Sequence, residues 1–174
     1  AAALTARGEV VQTFKKGPDF IDPMWLTAAS GRRCRNLDPW LSSDDELLDD
    51  FRRHSEGAGV ALVEGNKGLY DGLSLDGSNS NAALARTLRL PVVLVIDARG
   101  MTRGIAPLIL GYQAFDRDLA IVGVILNNLG GVYRIAVHLI SVAARIRQTA
   151  TLWRTYHSAG RATARVVTTT NTSI

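Results

Sequence analysis

The sequence predicts an α/β fold: a three-layer, mostly parallel sheet flanked by helices. Short apolar runs alternate along the chain with stretches of helical periodicity. Two of these runs, residues 91–97 ("PVVLVID") and 119–126 ("LAIVGVIL"), are apolar almost without interruption. Such strands are typical of parallel sheets, whose two faces are both covered by helices. Strands that alternate with helices are joined by right-handed crossovers, which gives the predicted layered architecture.

The predicted elements follow one another in a regular order. Ser42 or Ser43 precedes three acidic residues and can cap a helix whose last turn is basic, as the helix dipole favours. Strands are expected over residues 9–14, 59–64, 91–97 and 119–126, and helices over residues 44–54, 78–89 and 105–115.

The composition is that of one globular domain. The chain has 174 residues, of which 47% are hydrophobic and 21% are charged. No apolar run reaches the roughly 18 residues of a membrane-spanning helix. The single cysteine, Cys34, excludes an internal disulfide and a cysteine-based zinc site, and we interpret it as a small buried residue. These features predict a cytoplasmic protein without a nucleic-acid or membrane partner.

The charges are distributed unevenly and suggest a boundary near residue 131. Residues 1–131 contain all 16 acidic residues and 14 basic ones, whereas residues 132–174 contain six arginines and no acid. A basic tail can bind nucleic acid or an anionic membrane, but this one has no interleaved aromatic residues and no amphipathic stripe. We therefore interpret it as an atypical, weakly structured tail, non-native or frameshifted. Its histidines, His138 and His157, are interpreted as surface residues.

Polar residues gather where the predicted strands end. Asp19 and Asp22 follow the first strand, Glu64 and Asp71 the second, and Asp97 and Asn127 close the last two. A single carboxylate of this kind is most simply a helix cap or a surface residue. Four strand ends together favour a ligand site, because parallel α/β sheets bind ligands at the carboxyl ends of their strands. Oxygen-rich side chains there would suit a nucleotide with Mg²⁺.

Several ordered motifs carry a family resemblance. "FKKGPDFIDP", "TAASGR", "RNLD", "VEGNKGLYDG", "PVVLVIDARGM" and "GVILNN" resemble the cobyrinic acid a,c-diamide synthase family, in order between residues 4 and 131. "EGNKGLYDG" followed by "DGSNSNAALA" is also similar to the siroheme-amidating relatives, and the sequence leaves the choice of tetrapyrrole open. The resemblance implies an amidoligase domain with the P-loop NTPase fold of the dethiobiotin-synthetase type.

The resemblance also implies an activity. Such enzymes use ATP and Mg²⁺ to amidate tetrapyrrole side-chain carboxylates through an acyl phosphate, with glutamine as the ammonia donor at a glutaminase domain. A homodimer is one expected arrangement. The Gly-rich GK[ST] loop and the glutaminase nucleophile of the family do not occur in the sequence. Residues 1–131 are therefore expected to be a partial ATP-dependent amidoligase domain, and the chain an inactive fragment.

Roles for individual residues follow from the same resemblance. It implies Asp19 and Glu64 as the metal ligands, Lys15 as the cation that neutralises a phosphate or substrate carboxylate, and Asp22 and Asp71 as groups that orient substrate or ammonia. The backbone at Gly65 and Gly68 and the side chain of Asn127 would contact the nucleotide, and Phe20, Ile21, Tyr70 and Ser78 would contact the substrate. Phe20 stands where the family usually has tyrosine.

Simpler interpretations and two rival functions remain beside these roles. Lys15 and Lys16 could be solvated charges, and Asp22, which precedes Pro23, could be a turn former. A non-catalytic P-loop-like binding or partitioning module would share the same sheet. Its distinguishing features are a membrane-binding helix or a dimerising lysine, and neither is visible in the sequence. A degraded remnant without activity is the second rival.

Overall fold

The computed structural model describes residues 1–129 and the backbone of one further strand at residues 163–170. The helices are α1 (Ala2–Thr5), α2 (Ile21–Ser30), α3 (Asp44–Ser55), α4 (Asn81–Thr87) and α5 (Ile105–Phe115). The strands are β1 (Val11–Lys16), β2 (Arg35–Leu37), β3 (Val60–Glu64), β4 (Val92–Asp97), β5 (Ile121–Asn127) and β6 (Thr163–Thr170). His138 and His157 lie outside the described residues.

The described strands form one parallel sheet in the order β2-β1-β3-β6-β4-β5. Each pair of neighbours runs in the same direction, including β3 with β6 and β6 with β4. The predicted parallel α/β fold is therefore confirmed. Because all strands point the same way, their carboxyl ends meet at one edge of the sheet.

The structure differs from the predicted strands in three places. The strand expected over residues 9–14 is β1, which continues to Lys16 because Lys15 pairs with Glu64 of β3 and Lys16 pairs with Leu37 of β2. The three-residue strand β2 is too short to give a pattern in the sequence. Strand β6 was not expected either, since it lies in the tail interpreted as weakly structured. The proposed division of the chain at residue 131 stays a prediction.

Helix α2 was not predicted, and the simpler alternative for Asp22, which precedes Pro23, was a turn former. Both residues lie in the first turn of α2. Proline is tolerated there, since the N–H that it lacks would have no partner within the helix. The helix ends at Gly31, which adopts the left-handed conformation with φ of 70° and donates its N–H to the carbonyl of Thr27. These two ends fix the segment that carries Asp22 against the end of β1.

The core is built from strand side chains covered by helix side chains. Phe14 of β1 is fully buried, and its ring centroid lies 4.9 Å from that of Phe51 in α3. The same cluster contains Val63 of β3, Leu94 of β4 and Ile105 of α5. One continuous core thus joins β1, β3 and β4 and holds their carboxyl ends in fixed positions. None of the helices in the described ranges is both long and apolar enough to cross a membrane.

Helix α3 begins at a complete capping box, as the sequence predicted for Ser42 or Ser43. The Ser43 hydroxyl accepts the N–H of Glu46, and the Glu46 carboxylate accepts the N–H of Ser43 at 2.8 Å. Ser43 is therefore the cap. These bonds satisfy two donors that the first helical turn leaves without partners.

We expect Ser43→Ala to lower the free energy of unfolding by about 1 kcal/mol, because it removes the acceptor for the Glu46 N–H. Urea denaturation monitored by circular dichroism measures this change. Ser42→Ala is the matched control, since no capping bond involves the Ser42 side chain. Equal stabilities of the two variants would contradict the assignment of Ser43 as the cap.

Candidate functional site

Four of the predicted site residues meet at the carboxyl edge of β1 and β3. Lys15 and Glu64 are partners in the β1–β3 register. The Lys15 Nζ lies 3.0 Å from Glu64 Oε1, 2.6 Å from Asp22 Oδ2 and 4.0 Å from Asp19 Oδ2. The structure therefore brings Glu64 of β3 next to Lys15 and the two carboxylates, Asp19 and Asp22, that follow it closely in the sequence.

The Lys15 ammonium is almost fully enclosed, with 5% of its side chain exposed. It donates to Asp22 and Glu64 and also to the backbone carbonyl of Gly65 at 3.2 Å. Burial disfavours the charged form of Lys15. The hydrogen bonds and charges of Asp22 and Glu64 outweigh that effect and raise the pKa of Lys15 above its ordinary value. Lys15 is thus a permanent cation at this edge, and its three N–H groups all have acceptors.

The contact with Lys15 lowers the pKa of Asp22, whereas the same contact raises that of Lys15. The hydrogen bond from Lys15 is the main reason that the pKa of Asp22 is lowered, with burial opposing it and the Lys15 charge adding to it. A carboxylate with a lowered folded-state pKa stabilises the fold above its unfolded pKa of about 3.9. This contribution is lost as the pH falls through the folded-state pKa.

We therefore expect Asp22→Asn to lower the free energy of unfolding at about pH 7, and we expect this loss to become smaller as the pH falls through the lowered pKa of Asp22, because protonation removes the charge that the variant lacks. Urea unfolding over this pH range measures the difference. The control is Asp49→Asn, an equivalent change at an exposed position of α3. The same pH dependence in both variants would contradict the Asp22–Lys15 interaction.

Asp19 links the site to the start of α2. Its Oδ1 accepts the N–H of Ile21 at 2.9 Å and that of Asp22 at 3.4 Å, so that it caps the first turn. Its Oδ2 is directed toward Lys15. Asp19 thus binds the backbone at the start of α2 and also lies near Lys15, and its role as a metal ligand stays a prediction.

The carboxylates of Asp19 and Glu64 have the oxygen donors that Mg²⁺ prefers. Within the described ranges, however, no group of three or more histidine, cysteine or acidic side chains is arranged around a common metal position. Mg²⁺ is commonly held by one or two carboxylates together with phosphates and water, so two carboxylates suffice chemically. The Lys15 ammonium lies between them and would have to share them with a metal.

The loop after β3 is held by a residue that sequence reasoning missed. Asn81, the first residue of α4, is 1% exposed. Its Oδ1 accepts the N–H of Asn66 at 3.1 Å, and its Nδ2 donates to the carbonyls of Asn66 and Gly68. Three backbone groups of the loop are therefore satisfied by one side chain. In the sequence, Asn81 is visible only as part of the polar "SNSN" segment, and nothing in the sequence pairs it with residues 66–68.

Close packing favours glycine in this loop, most strictly at Gly65 and Gly72, where the neighbours are buried asparagines, and less at Gly68, where the neighbour is the movable end of the exposed Asp71 side chain. A Cβ added at any of three positions would collide with another side chain of the segment: Asn81 at Gly65, Asp71 at Gly68 and Asn79 at Gly72. The proposed nucleotide contacts at Gly65 and Gly68 stay predictions. The observed reason for glycine is close internal packing.

Tyr70 and Asp71 lie on the side of the loop that contacts α5. The Tyr70 hydroxyl donates to the carbonyl of Tyr112 at 2.7 Å, and the two rings are stacked with centroids 5.8 Å apart. Burial raises the pKa of Tyr70 to about 12. Asp71 is exposed, and its charge adds to burial in raising the pKa of Tyr112. No contact of the described residues joins Tyr70 or Asp71 to Lys15.

The remaining predicted site residues are exposed around this edge. Phe20 and Ile21 begin α2 with 76% and 59% of their surface exposed, and Met24 and Trp25 on the same helix are exposed to 70% and 73%. They form an apolar surface that we call the α2 face. The backbone N–H of Ser78 is bound to Asp76 in a turn, away from the Lys15 contacts.

Strand β5 ends at the exposed amide of Asn127, and β4 ends at the carboxylate of Asp97, which accepts hydrogen bonds from Arg99. Asn127 is exposed and pairs in register with Asp97. Asp97 binds Arg99, whose hydrogen bonds lower the pKa of Asp97. Asn127 is therefore available to a ligand at this edge, and Asp97 already has a partner. Cys34 is buried, as predicted, and burial raises the pKa of its thiol.

Comparisons with known proteins give a consistent result. Residues 39–152 match the AAA domain family AAA_26. The cobyrinate a,c-diamide synthase of Magnetococcus marinus is 53% identical over 128 residues, which cover 74% of this chain and 27% of that protein. The cobyrinate a,c-diamide synthase of Methanosarcina acetivorans is 48% identical over 75% of this chain and 27% of its own length. The hydrogenobyrinate a,c-diamide synthase of Brucella ovis is 48% identical over 74% of this chain and 29% of its own length.

The chain thus spans 27–29% of the length of these relatives. No solved structure matches it significantly. The family match extends over more than half of the chain, and the parallel sheet is the fold that the sequence resemblance implied. The chain belongs to the AAA domain family AAA_26 and, within it, to the cobyrinic acid a,c-diamide synthase family.

Proposed function

We propose that this chain is the part of an ATP-dependent amidoligase that carries the carboxylate and lysine residues of its active site. The reaction is amidation of tetrapyrrole side-chain carboxylates, with cobyrinate as the first candidate substrate. Family membership supports the reaction class. The single observation that supports the location is the buried Lys15 ammonium, held among Glu64, Asp22 and Asp19 where parallel strands end.

The chemistry explains why such a group is useful. A carboxylate is a poor acceptor for ammonia until its oxygen becomes a better leaving group. We infer that the carboxylate accepts the γ-phosphoryl group of ATP, which releases ADP and forms an acyl phosphate. Ammonia derived from glutamine then attacks the acyl carbon and displaces inorganic phosphate, which gives the amide. Transfer of a phosphoryl group depends mainly on positioning and on neutralising charge. A fixed cation such as Lys15, whose charge is locked by its neighbours, meets that requirement at little reorganisation cost.

Mg²⁺ is proposed as the metal, with Glu64 and Asp19 as its protein ligands. When bound, it would neutralise phosphate charge and orient the nucleotide. Both carboxylates lie within 4.0 Å of the Lys15 ammonium and are therefore close to one point. Asn127, exposed at the end of β5, is proposed to contact the nucleotide base, and the backbone at Gly65 and Gly68 its phosphates.

The α2 face is proposed to bind the tetrapyrrole, with Phe20 and Ile21 nearest to Asp19 and Asp22. A flat macrocycle with carboxylate arms needs an apolar surface beside charged groups, and α2 combines the two within one helical turn. Siroheme is the second candidate substrate, because Asn66 and Lys67 give the loop after β3 the form found in the siroheme-amidating relatives. Tyr70, Ser78 and Asp71 are proposed to line the outer part of the site.

A chimera tests this proposal. The matching region of the Magnetococcus marinus synthase is replaced by the corresponding residues of this chain, which are 53% identical to it. We expect ATP-dependent amide formation from cobyrinate with ammonium as the nitrogen source, measured by mass spectrometry together with ADP release. Glutamine should replace ammonium, and siroheme is assayed in parallel. A folded chimera that releases no ADP with either tetrapyrrole would contradict the proposal, and Lys15→Met in the same chimera is the control for background hydrolysis.

A further inference from the structure

Lys16 is a second buried lysine at the edge of β1, and its surroundings differ from those of Lys15. It is 7% exposed, and its Nζ donates to the Asn66 side-chain oxygen at 3.3 Å. In the described part of the chain it forms no ion pair with a carboxylate. A buried ammonium normally has a charged partner or several strong acceptors. Lys16 therefore has donor capacity that its described neighbours do not use.

The two lysines differ in the number and charge of their hydrogen-bond acceptors. Lys15 has an acceptor for each of its three N–H groups, and two of these acceptors are carboxylates. Among the described residues, Lys16 has one acceptor, and it is neutral. An anion that contacts Lys15 directly would have to displace one of its acceptors, whereas no ion pair of the described residues would have to break for an anion to bind Lys16. Lys16 is thus the better placed of the two to receive an anion.

The local charge around Lys16 favours an anion further. Lys67 lies next to Asn66 in the loop after β3, and its side chain is exposed. Burial lowers the pKa of Lys16; the charges of Lys67 and Lys15 add to this effect, and the charge of Asp38 opposes it. An anion placed between Lys16 and Lys67 would relieve this repulsion.

The position of Asn66 is fixed from both sides. Asn81 binds its backbone N–H and its carbonyl. Its side-chain amide lies over Gly17, where an added Cβ would come within 3.3 Å of Nδ2. Gly17 has a φ of 83°, a conformation that favours glycine, so the chain keeps this position free of a side chain. Asn66 can therefore hold Lys16 in place and offer its own amide N–H groups to the same ligand.

We propose that Lys16, together with Asn66 and Lys67, forms an oxyanion-binding site that receives a carboxylate or phosphate group. This site is adjacent to the Lys15 group and distinct from it. Its identity as an oxyanion site is independent of the proposed function, and the choice between a substrate carboxylate and a nucleotide phosphate rests on that function. Lys15 then neutralises charge from its place among the carboxylates, and Lys16 is a second cation that contacts the oxyanion directly.

The chain has three lysines, Lys15, Lys16 and Lys67, so lysine-labelled NMR reports on each of them separately. The ¹³Cε signals of the full chain are followed during titration with inorganic phosphate, with ATP in the absence of metal, and with cobyrinate. We expect phosphate to shift the Lys16 and Lys67 signals and to leave that of Lys15 nearly unchanged. A response of Lys15 without one of Lys16, or no response of Lys16 to any of the three probes, overturns the proposal. The ATP and cobyrinate arms show which molecule supplies the oxyanion.

Two variants test the same site from different directions. Lys16→Met keeps the length of the side chain and is expected to weaken phosphate binding by about tenfold or more, because it removes a charged hydrogen bond. Asn66→Asp keeps all lysines but gives Lys16 an internal carboxylate, and a similar loss is expected. Arg117→Met, a loss of one exposed cation elsewhere, is the control. Unchanged phosphate affinity in a folded Asn66→Asp chain overturns the proposal even if Lys16→Met fails to fold. If phosphate shifts the Lys16 signal but cobyrinate does not, the oxyanion site is supported and the proposed tetrapyrrole substrate is contradicted.

Discussion

Replacing Phe14 by alanine is expected to lower the free energy of unfolding by about 3–5 kcal/mol, the range measured for large aromatic residues in packed cores. Phe14 has no exposed surface, and its ring packs against that of Phe51 in α3. It also occupies the middle of β1, which is paired on both sides, by β2 and β3. A cavity at this position cannot be filled by movement of one neighbour, because three elements meet there.

The matched control for this variant is Phe20→Ala. The same atoms are removed, but Phe20 is 76% exposed and makes no ring contact in the described part of the chain. We expect its free energy of unfolding to change by less than about 0.5 kcal/mol. Urea denaturation of both variants tests the position of the core. If the Phe14→Ala variant were as stable as the Phe20→Ala variant, the Phe14 side chain would not belong to the packed core of the sheet.

The fold could be predicted wherever one segment carries its own pattern. Strands β4 and β5 consist of apolar residues almost throughout, and helix α5 was expected within the residues at which it is observed. The end of β1 could not be predicted, because Lys15 and Lys16 are long charged residues that belong to a strand only through their pairing with β2 and β3. Helix α2 was hidden for a similar reason, since the Asp22–Pro23 pair is compatible with either a turn or a first helical turn.

In the candidate site, too, residues with a local sequence pattern could be predicted, and contacts between distant segments could not. The rule that polar residues gather at the carboxyl ends of parallel strands identified Asp19, Asp22 and Glu64, and the family resemblance added Lys15; the structure brings these four residues together. The rule could not separate them from Asp71, which follows the same strand but turns toward α5. The role of Asn81 could not be predicted at all, because its hydrogen bonds to the loop join residues 13 and 15 positions apart.

The chemistry of Glu64 and Asp71 leads to the largest difference in activity that we expect. Glu64 ends a buried strand, and its carboxylate is partnered by Lys15. Glu64→Gln keeps the shape of the side chain but removes the charge that is proposed to hold a metal and that balances the Lys15 ammonium. In the synthase chimera we therefore expect its rate of ADP formation to fall by about 100-fold or more.

Asp71 is exposed on the other side of the loop and packs over Gly68. We therefore expect Asp71→Asn to leave nucleotide affinity nearly unchanged and to slow amide formation by about tenfold. The measurements are ATP affinity by calorimetry and turnover with ammonium for both variants. Wild-type rates in both would show that these carboxylates are ordinary loop residues. Equal losses of ADP formation would show instead that Asp71 acts at the edge where Glu64 and Lys15 lie, which its position on the α5 side of the loop argues against.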